Sequence, residues 1–411
     1  MILKINKKNF LKNFSTSLLR FGFLKRTIIP FQPKINIRNQ LFSFTPLVFQ
    51  NSTEKTHLQD FKCKIQIIGV GGAGSNSVDN MLSLGQNTPN LNFLVVNTDA
   101  QALKRSSCSN KIQIGSKTTK GLGAGSIASI GQKSAQESLD QIMKEVEGTD
   151  LLFICCGMGG GTGTGASPVI ASEAKRRGIL TVGIVSTPFS FEGSKRAKIA
   201  VDGIKEMEKC VDTLIIIPNE HLFHVSSNET KATDAFKMID DVLFEGVKSI
   251  IDLIITPGHV NLDFADVQTV MKGAGRAFIG IGTSDPEDKK TSAGKQAIIK
   301  ALNNPFLDID SIEQSTSVLL QISGPEITLE DVEDCAQTVK ERVNDHTNII
   351  VGTTIDANLK GIKVALIVTG IPKKIIQETI NTEKKIMKQT EETKQPKKRF
   401  SFSQYLKQHW W

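Results

Sequence analysis

The chain has 411 residues, of which 39% are hydrophobic and 22% are charged, as is typical of globular proteins. It contains no run of about 18 consecutive apolar residues, which argues against a transmembrane helix. The net charge of +8 comes from the ends, since residues 1–53 carry nine basic and no acidic residues, and residues 372–411 carry ten basic and four acidic ones. The stretch between them is acidic, with 31 basic and 38 acidic residues, which argues against a nucleic-acid groove.

Residues 1–53 have the composition of an organelle transit peptide. They are rich in Lys and Arg, lack acids, and include the hydroxyl residues Ser15, Thr16 and Ser17. Their apolar residues are spaced loosely along one helical face, without the long apolar core of a secretory signal. The Lys and Asn bias favours a mitochondrial address, with a plastid as the alternative. A disordered extension with no targeting role is the competing interpretation.

Short apolar runs alternate with helix-like stretches in the first half of the body. Strands are predicted at residues 64–68, 92–96, 111–114, 151–156, 180–186 and 214–217, and helices at residues 75–84, 127–147 and 166–177. This alternation predicts a parallel sheet with helices on both faces. Ligands of such sheets bind beyond the carboxyl ends of the strands. Glycine-rich loops are predicted there, at residues 69–74, 121–126 and 157–165.

A long helix is predicted next, over residues 233–254, because apolar residues recur at three- and four-residue steps. Later strands at 318–322, 349–353 and 362–368, with a helix at 329–343, predict a smaller α+β domain. We therefore predict an α/β protein with the following parts: a transit peptide (1–53), an N-terminal Rossmann-like parallel-sheet domain that binds a nucleotide (61–232), a long central helix (233–256), a C-terminal α+β domain (257–371) and a flexible basic tail (372–411).

The six cysteines show no metal-ligand spacing, and neither do the histidines. Cys155 and Cys156 are adjacent in a predicted strand, so their side chains point to opposite faces. We expect free thiols in a reducing compartment, and we predict no metal-binding side chains.

The pattern Gly69-x-Gly71-x-x-Gly74 between a strand and a helix is a dinucleotide-binding fingerprint of moderate specificity. Asp99 lies near the position of a ribose-binding acid, so a dehydrogenase is a fair first interpretation. The loop at residues 157–165 argues against it, because six glycines and two threonines form a second phosphate cradle. The P-loop pattern is absent from the sequence. A compact triphosphate, approached from several sides, is the better prediction.

These motifs resemble those of the tubulin/FtsZ family, and FtsZ much more than tubulin. The similar segments lie, in the family's order and spacing, at residues 64–76, 97–103, 119–125, 157–165, 188–196 and 261–267. The resemblance covers about residues 62 to 370. It implies a GTPase that binds GTP or GDP in its N-terminal domain.

The resemblance also implies a set of nucleotide-binding residues. They are Gly71, Gly72, Ala73, Gly74, Ser75, Asn76, Asn97, Ala124, Gly125, Ser126, Gly159, Gly160, Gly161, Thr162, Gly163, Thr164, Glu192, Arg196, Phe236 and Asp240. Glu192 and Arg196 would reach the ribose and phosphates, while Phe236 would stack on the base. Asp240 would accept hydrogen bonds from guanine N1–H and N2–H, a donor pair that adenine lacks. Without the resemblance, Phe236 is ordinary helix core.

The resemblance implies that Asn261, Asp263 and Asp266 are catalytic. In FtsZ this loop docks onto the nucleotide of the next subunit, where the acids polarise the attacking water. From the residues alone, Asp263 and Asp266 are an N-cap and a first-turn acid of a helix. Mg²⁺ would offset the repulsion between carboxylates and phosphates. A site split in this way implies that the chain's main partner is itself, in a head-to-tail homopolymer.

The tail departs from the FtsZ pattern. The short acidic-then-apolar peptide through which bacterial FtsZ binds membrane adaptors is not found, and Lys397-Lys398-Arg399 is instead interleaved with aromatic residues. Such a tail suits an anionic membrane or an organelle-specific adaptor, or is merely solvated. We expect a GTPase that polymerises into a division ring at the inner face of the mitochondrion. A Rossmann oxidoreductase and a filament protein that barely hydrolyses GTP are the alternatives.

Overall fold

The computed structural model describes residues 63–83, 91–221, 231–255, 263–285, 291–304, 307 and 312–371, without the side chains of residues 232–236. The predicted transit peptide and basic tail lie outside these residues, as do Asn261 and the side chain of Phe236. Within the described part of the chain, no helix combines the length and apolar character needed to cross a membrane.

The first half alternates strands and helices, as its sequence predicts. Its elements are β1 (Ile65–Val70), α1 (Gly71–Ser83), β2 (Leu91–Asn97), α2 (Ala100–Arg105), β3 (Lys111–Gln113), α3 (Ala128–Glu137), α4 (Leu139–Glu145), β4 (Leu151–Gly157), α5 (Thr162–Arg176), β5 (Leu180–Thr187), α6 (Ser194–Cys210) and β6 (Thr213–Pro218). Two short 3₁₀ turns, Ser190–Glu192 and Asn219–His221, follow β5 and β6. The second half comprises α7 (Ala232–Ile255), α8 (Phe264–Met271), β7 (Gly275–Thr283), α9 (Ala293–Leu302), β8 (Ser317–Gly324), α10 (Leu329–Lys340), β9 (Asn348–Ile355) and β10 (Lys363–Thr369).

The ten described strands form one sheet in the order β3-β2-β1-β4-β5-β6-β7-β10-β8-β9. Neighbours from β3 to β7 are parallel, β10 is antiparallel to β7 and β8, and β9 is parallel to β8. β6 and β7 share three residue pairs, whereas β5 and β6 share six. The predicted fold class is confirmed: a parallel sheet, a long helix and a smaller mixed part. The predicted domain boundaries stay predictions.

The central strands are buried on both faces, which explains their continuous apolar runs. Alternate residues belong to two separate cores, with Ile67 and Cys155 on the face that carries α1 and α7, and Ile68 and Cys156 on the face that carries α5 and α6. A third core lies between α9, α10 and the strands of the second half. All six cysteines are free thiols, as expected.

Two segments predicted as glycine loops are in part the first turns of helices. α1 begins at Gly71 and α5 at Thr162, so the last four residues of each predicted loop are helical. A Cβ at Gly74 would lie 2.2 Å from the carbonyl oxygen of Cys155, and one at Gly165 would lie 1.9 Å from that of Ala128. Glycine at these positions therefore permits close packing of the helix starts and does not signal irregular backbone.

β7 and α9 were not predicted, because glycines interrupt the apolar pattern of the strand. A Cβ at Gly280 or Gly282 would lie 2.2 Å from a carbonyl oxygen of α9, that of Ala301 or Ala297 respectively. The helix thus lies directly on the strand backbone. The helix predicted at residues 127–147 is two helices, α3 and α4, which meet at Ser138.

Candidate nucleotide site

Two adjoining cavities open at the carboxyl edge of the parallel strands. The first, of about 630 Å³, lies between the ends of β1 and β2 and the loop before α3. The second, of about 290 Å³, lies between the start of α1, the end of β5 and α7. Gly72, Asn76, Gly161 and Thr162 line both cavities. The cavities therefore lie at the edge of the sheet where ligands of parallel α/β sheets bind.

The starts of two helices meet at the wall between the cavities. α1 begins at Gly71, and α5 begins at Thr162. The first N–H groups of a helix have no partner within it, and the helix dipole adds positive potential there. Two such ends at one wall form a binding site for an anion such as a phosphate chain.

The first cavity brings together residues that were predicted to hold phosphates. Its lining includes Gly72, Ser75, Asn76, Asn97, Ala124, Gly125, Ser126, Gly161 and Thr162. The buried hydroxyls of Thr98 and Thr162 lie 2.6 Å apart and join the end of β2 to the start of α5. Ser126 has a φ of 60°, a left-handed conformation that costs a serine about 1 kcal/mol or more. Strain of this kind clusters where a loop meets a ligand.

The second cavity brings together residues that were predicted to contact the phosphates, the ribose and the base. Ala73, Gly160, Gly163, Glu192, Arg196 and Asp240 line it. An Arg196 guanidinium nitrogen lies 2.5 Å from a Glu192 carboxylate oxygen, and Glu192 also accepts the N–H of Phe189 at 2.9 Å. The pair is therefore already formed, but the predicted shared helical turn is wrong, because Glu192 ends a 3₁₀ turn, Gly193 follows with a φ of 98°, and Arg196 lies in the first turn of α6.

Asp240 lies on α7 and faces the second cavity. Its Oδ1 accepts a hydrogen bond from the Ser77 hydroxyl at 2.8 Å. Burial raises the pKa of Asp240 to about 6, the Ser77 bond opposes this rise, and the charge of Asp241 adds to it. The group is therefore ionised at neutral pH although it is largely desolvated. A carboxylate in this state is a strong acceptor for N–H donors.

Some cavity glycines face open space. A Cβ at Gly72 or Gly160 would meet no atom of the described residues within 4 Å. Neither glycine has a positive φ, so neither packing nor backbone conformation requires glycine at these positions. Their missing side chains leave backbone N–H groups open to a ligand, which is the fit expected of a phosphate cradle.

Four predicted residues adjoin the cavities without lining them: Gly71, Gly74, Gly159 and Thr164. The Thr164 hydroxyl is buried and accepts the N–H of Gly159 at 2.9 Å. A Cβ at Gly71 would lie 2.9 Å from the nitrogen of Gly163, so the two helix starts are in close contact. These residues hold the glycine segments together.

The predicted catalytic acids lie at the start of α8, with Asp263 as its N-cap and Asp266 in its first turn, and they line neither cavity. Asp263 accepts the N–H of Asp266 at 2.9 Å, and Asp266 accepts the N–H of Asp263 at 3.3 Å, which forms a capping box. The far end of α8 lies at the opposite edge of the sheet. There Thr213, the first residue of β6, donates its hydroxyl to the carbonyl of Met271 at 2.5 Å.

Asn219, which was not predicted, lines the second cavity together with Asp240. It is 5% exposed, and its Oδ1 finds no hydrogen-bond partner among the described residues. A buried amide oxygen without a partner indicates a donor that a ligand would supply. The available signal was its position, since it follows directly on β6 at the carboxyl edge.

Two acids at the first cavity are already engaged. Asp79 accepts hydrogen bonds from the N–H and the hydroxyl of Ser107, at 2.7 and 2.9 Å. Asp99, the acid that a dehydrogenase would use for ribose, caps α2 by accepting the N–H groups of Gln101 and Ala102 at 2.8 and 3.2 Å. Helix capping alone accounts for its position.

The fold and the two glycine-walled cavities define a nucleotide-binding protein built on a parallel sheet. Residues 64–227 match the model of the tubulin/FtsZ family GTPase domain, and residues 275–372 match that of the FtsZ family C-terminal domain. The cell division protein FtsZ of Rickettsia bellii is 49% identical over 313 residues, which cover 75% of this chain and 67% of that protein. FtsZ from Wolbachia is 46% identical over 322 residues, which cover 75% and 79%. The chain belongs to the FtsZ family of GTPases, as its motifs predicted.

Solved structures agree with this assignment. An empty FtsZ dimer from M. jannaschii has a TM-score of 0.71 at 42% identity, covering 76% of this chain and 90% of that one. CetZ1 from Haloferax volcanii, bound to GDP, has a TM-score of 0.66 at 20% identity, covering 78% and 99%. The second similarity concerns the fold alone.

Proposed function

We propose that the chain binds GTP across the two joined cavities and assembles head to tail into filaments in which the GTP is hydrolysed. The observation that carries this proposal is that the predicted catalytic acids do not line the cavities that would hold the nucleotide. The glycine-walled cavities lie at the carboxyl edge of the sheet, whereas Asp263 and Asp266 are on α8 and line neither cavity. Acids that do not line the cavities of their own chain are available to the nucleotide of another copy.

The first cavity and the wall that it shares with the second would take the phosphates. The N–H groups at the starts of α1 and α5 would bind phosphate oxygens, and Ala124, Gly125 and Ser126 would contact the γ-phosphate. Hydrolysis by positioning and electrostatics needs few groups, so the acids of a neighbouring copy suffice to orient the attacking water.

The second cavity would take the ribose and the base. Asp240 would accept from guanine N1–H and N2–H, and the free Oδ1 of Asn219 would accept a further donor. Phe236, one turn before Asp240 on α7, is proposed to stack on the base. Adenine offers no such donor pair to a carboxylate, so this arrangement favours GTP over ATP.

Mg²⁺ is proposed as the accompanying ion. No group of three or more His, Cys, Asp or Glu side chains that could hold a metal lies in the described part of the chain. This suits Mg²⁺, which commonly keeps several waters and binds substrate phosphates with few protein ligands. The hydroxyls of Ser126 and Thr162 and the amide of Asn97 offer oxygen donors at the first cavity. When bound, the ion would neutralise charge on the β- and γ-phosphates.

Right-angle light scattering of the full chain tests GTP-linked assembly. We expect scattering to rise on addition of GTP with Mg²⁺ and to stay flat with GDP. A Gly72→Asp variant is the control, because a Cβ at this cavity-lining residue would meet no described atom within 4 Å and the added carboxylate repels phosphate. Scattering that rises equally with both nucleotides, or with neither, contradicts the proposal.

We further propose that the filaments form a division ring at the inner-membrane face of the mitochondrion. The composition of residues 1–53 supports this address, and the similarity to FtsZ of Rickettsia and Wolbachia is consistent with it. The basic, aromatic tail at residues 372–411 would attach the filament to the membrane or to an adaptor.

A fluorescent reporter fused to residues 1–53 tests the proposed address. We expect the fusion to enter mitochondria, whereas the same reporter fused to residues 54–106 should stay outside. Import into plastids, or no import at all, contradicts the mitochondrial proposal.

A further inference from the structure

Two side-chain hydrogen bonds join α1 to α7. The Ser77 hydroxyl lies 2.8 Å from Oδ1 of Asp240, and the Asn80 amide lies 2.8 Å from Oδ1 of Asp241. Each bond spans more than 160 residues of sequence. Only the first reaches the nucleotide site, because Asp240 lines the second cavity while Asn80 and Asp241 line neither.

We propose that Ser77 is a positioning residue for guanine recognition, because its hydroxyl holds the Asp240 carboxylate in the orientation that accepts both N–H donors of the base. This inference rests on the proposed role of Asp240. It adds a residue that touches no nucleotide and acts through its neighbour.

The hydroxyl of Ser77 has two acceptors within reach and only one proton. It is fully buried, 2.8 Å from Asp240 and 3.0 Å from the carbonyl oxygen of Ala73. A charged carboxylate is the stronger acceptor, so the proton is donated to Asp240. Each carboxylate oxygen accepts two hydrogen bonds, so the group keeps capacity for two base donors after Ser77 has fixed its plane.

Several charged or titratable groups lie near the bond between Ser77 and Asp240. Asp240 is affected by the charge of its neighbour Asp241, and it faces the fully buried thiol of Cys155 from β4. The ion pair of Glu192 and Arg196 lines the same cavity. Without the hydroxyl, the desolvated carboxylate loses a hydrogen bond to its charged form, so its pKa rises further and its side chain is free to rotate.

The test compares Ser77→Ala with Asn80→Ala in the full chain. Asn80→Ala is the matched control, since it removes the other hydrogen bond between α1 and α7. Equilibrium affinities for GTP, inosine triphosphate and ATP are measured across pH 5 to 8, together with melting temperatures. Inosine lacks the 2-amino group, so the ratio of GTP to inosine triphosphate affinity reports how well Asp240 is oriented.

For Ser77→Ala we expect GTP affinity to fall about tenfold, the order expected for a hydrogen bond to a charged group. Inosine triphosphate affinity should fall less, so the ratio decreases. The pH below which GTP binding is lost should move upward. For Asn80→Ala we expect the ratio and the pH profile to match those of the unaltered chain. An equal loss for all three nucleotides, or a Ser77→Ala ratio equal to that of the control, overturns the inference.

Asp240→Ala separates this inference from the proposed function. If Asp240→Ala keeps the preference for GTP over ATP, the proposed base recognition fails, and the inference fails with it. If Asp240→Ala loses that preference while Ser77→Ala keeps its ratio, only the role of Ser77 is overturned. In the Asp240→Ala background, Ser77→Ala should cause no further loss of GTP affinity.

Discussion

The ionised form of Asp240, which is proposed to bind guanine, is the form that destabilises the fold. Its pKa is about 6 in the folded chain, raised by burial above the ordinary value of 3.8. The folded state therefore holds the proton more tightly than the unfolded state does. The resulting stabilisation is fully present below pH 3.8 and is lost as the pH rises through 6. At neutral pH the ionised group destabilises the fold, a cost that its proposed role in binding guanine would explain.

Asp240→Asn should raise the free energy of unfolding at pH 7.5 by about 1–3 kcal/mol, because a neutral amide avoids the cost of a buried charge. The same change should weaken GTP binding, since an amide has a single acceptor oxygen. Urea unfolding at pH 7.5 and pH 4.5 measures the effect. The gain should shrink at the lower pH, where Asp240 is already protonated. A loss of stability at pH 7.5 contradicts the proposed cost of the charge.

Some residues at the cavities could be predicted from the sequence, and others could not. Asp240 was identified because a carboxylate on an apolar helical stripe is unusual and because the family motif agrees. Ser77 was not identified, since its partner lies 163 residues away and only the packing of α1 on α7 brings the two together. Thr164 was predicted among the phosphate contacts, but its hydroxyl lies against Gly159, and rotamer direction is not encoded in a motif.

At the scale of elements, glycine has two different roles at the start of α1. Gly72 faces the cavities, and Gly74 lies against the backbone of β4. The first glycine keeps room for a ligand and the second keeps room for a strand. The two roles can be separated by making the same substitution at each position, since both residues lie in one helical turn.

Gly72→Ala should leave the melting temperature within about a degree of the unaltered value, since its Cβ meets no described atom and alanine favours a helix. It should weaken GTP binding by intruding on the cavity. Gly74→Ala should cost about 2–3 kcal/mol of stability, because its Cβ would lie 2.2 Å from the Cys155 carbonyl oxygen. Thermal unfolding and nucleotide titration of both variants measure this. Equal destabilisation of the two would contradict the assigned roles.

Strands with continuous apolar runs were predicted from the sequence, whereas α6, which packs partly through small residues, was not. The central strands β1, β4 and β5 were predicted because each has a nearly continuous apolar run. α6 was not predicted, because its buried face consists of Ala200, Gly203, Ile204 and Met207, a narrow stripe among charged residues. A Cβ at Gly203 would lie 2.2 Å from the Thr164 methyl group, so close approach of α5 and α6 replaces apolar bulk.

At the scale of the whole molecule, the proposed split active site predicts complementation between two inactive variants. Asp266→Ala should bind GTP and hydrolyse it slowly, while Gly72→Asp should fail to bind GTP. In an equal mixture, the nucleotide of the first variant can meet the intact acids of the second. If the copies mix randomly, about a quarter of the contacts are competent, so turnover should recover to about a quarter of normal.

Phosphate release from each variant alone and from the mixture measures this recovery. A second mixture, of Asp266→Ala with Asp263→Ala, is the control, because neither copy supplies an intact pair of acids. Full turnover by Asp266→Ala alone would mean that this acid is not needed. No recovery in the first mixture, with GTP binding by Asp266→Ala intact and both variants found in the same sedimented filaments, would mean that the acids act within their own chain.

The narrow junction between β6 and β7 has a mechanical consequence. Three residue pairs, Thr213–Gly275 to Ile215–Ala277, join strands whose outer neighbours are held by six or seven pairs. A load that pulls the two halves of the sheet apart is therefore borne first by the fewest hydrogen bonds in the line of strands between β5 and β10. The junction is therefore expected to be the mechanically weakest contact in this series of strands, and it lies at the sheet edge opposite to the glycine-rich cavities. The protein can yield there while every strand that ends at the nucleotide site keeps its place.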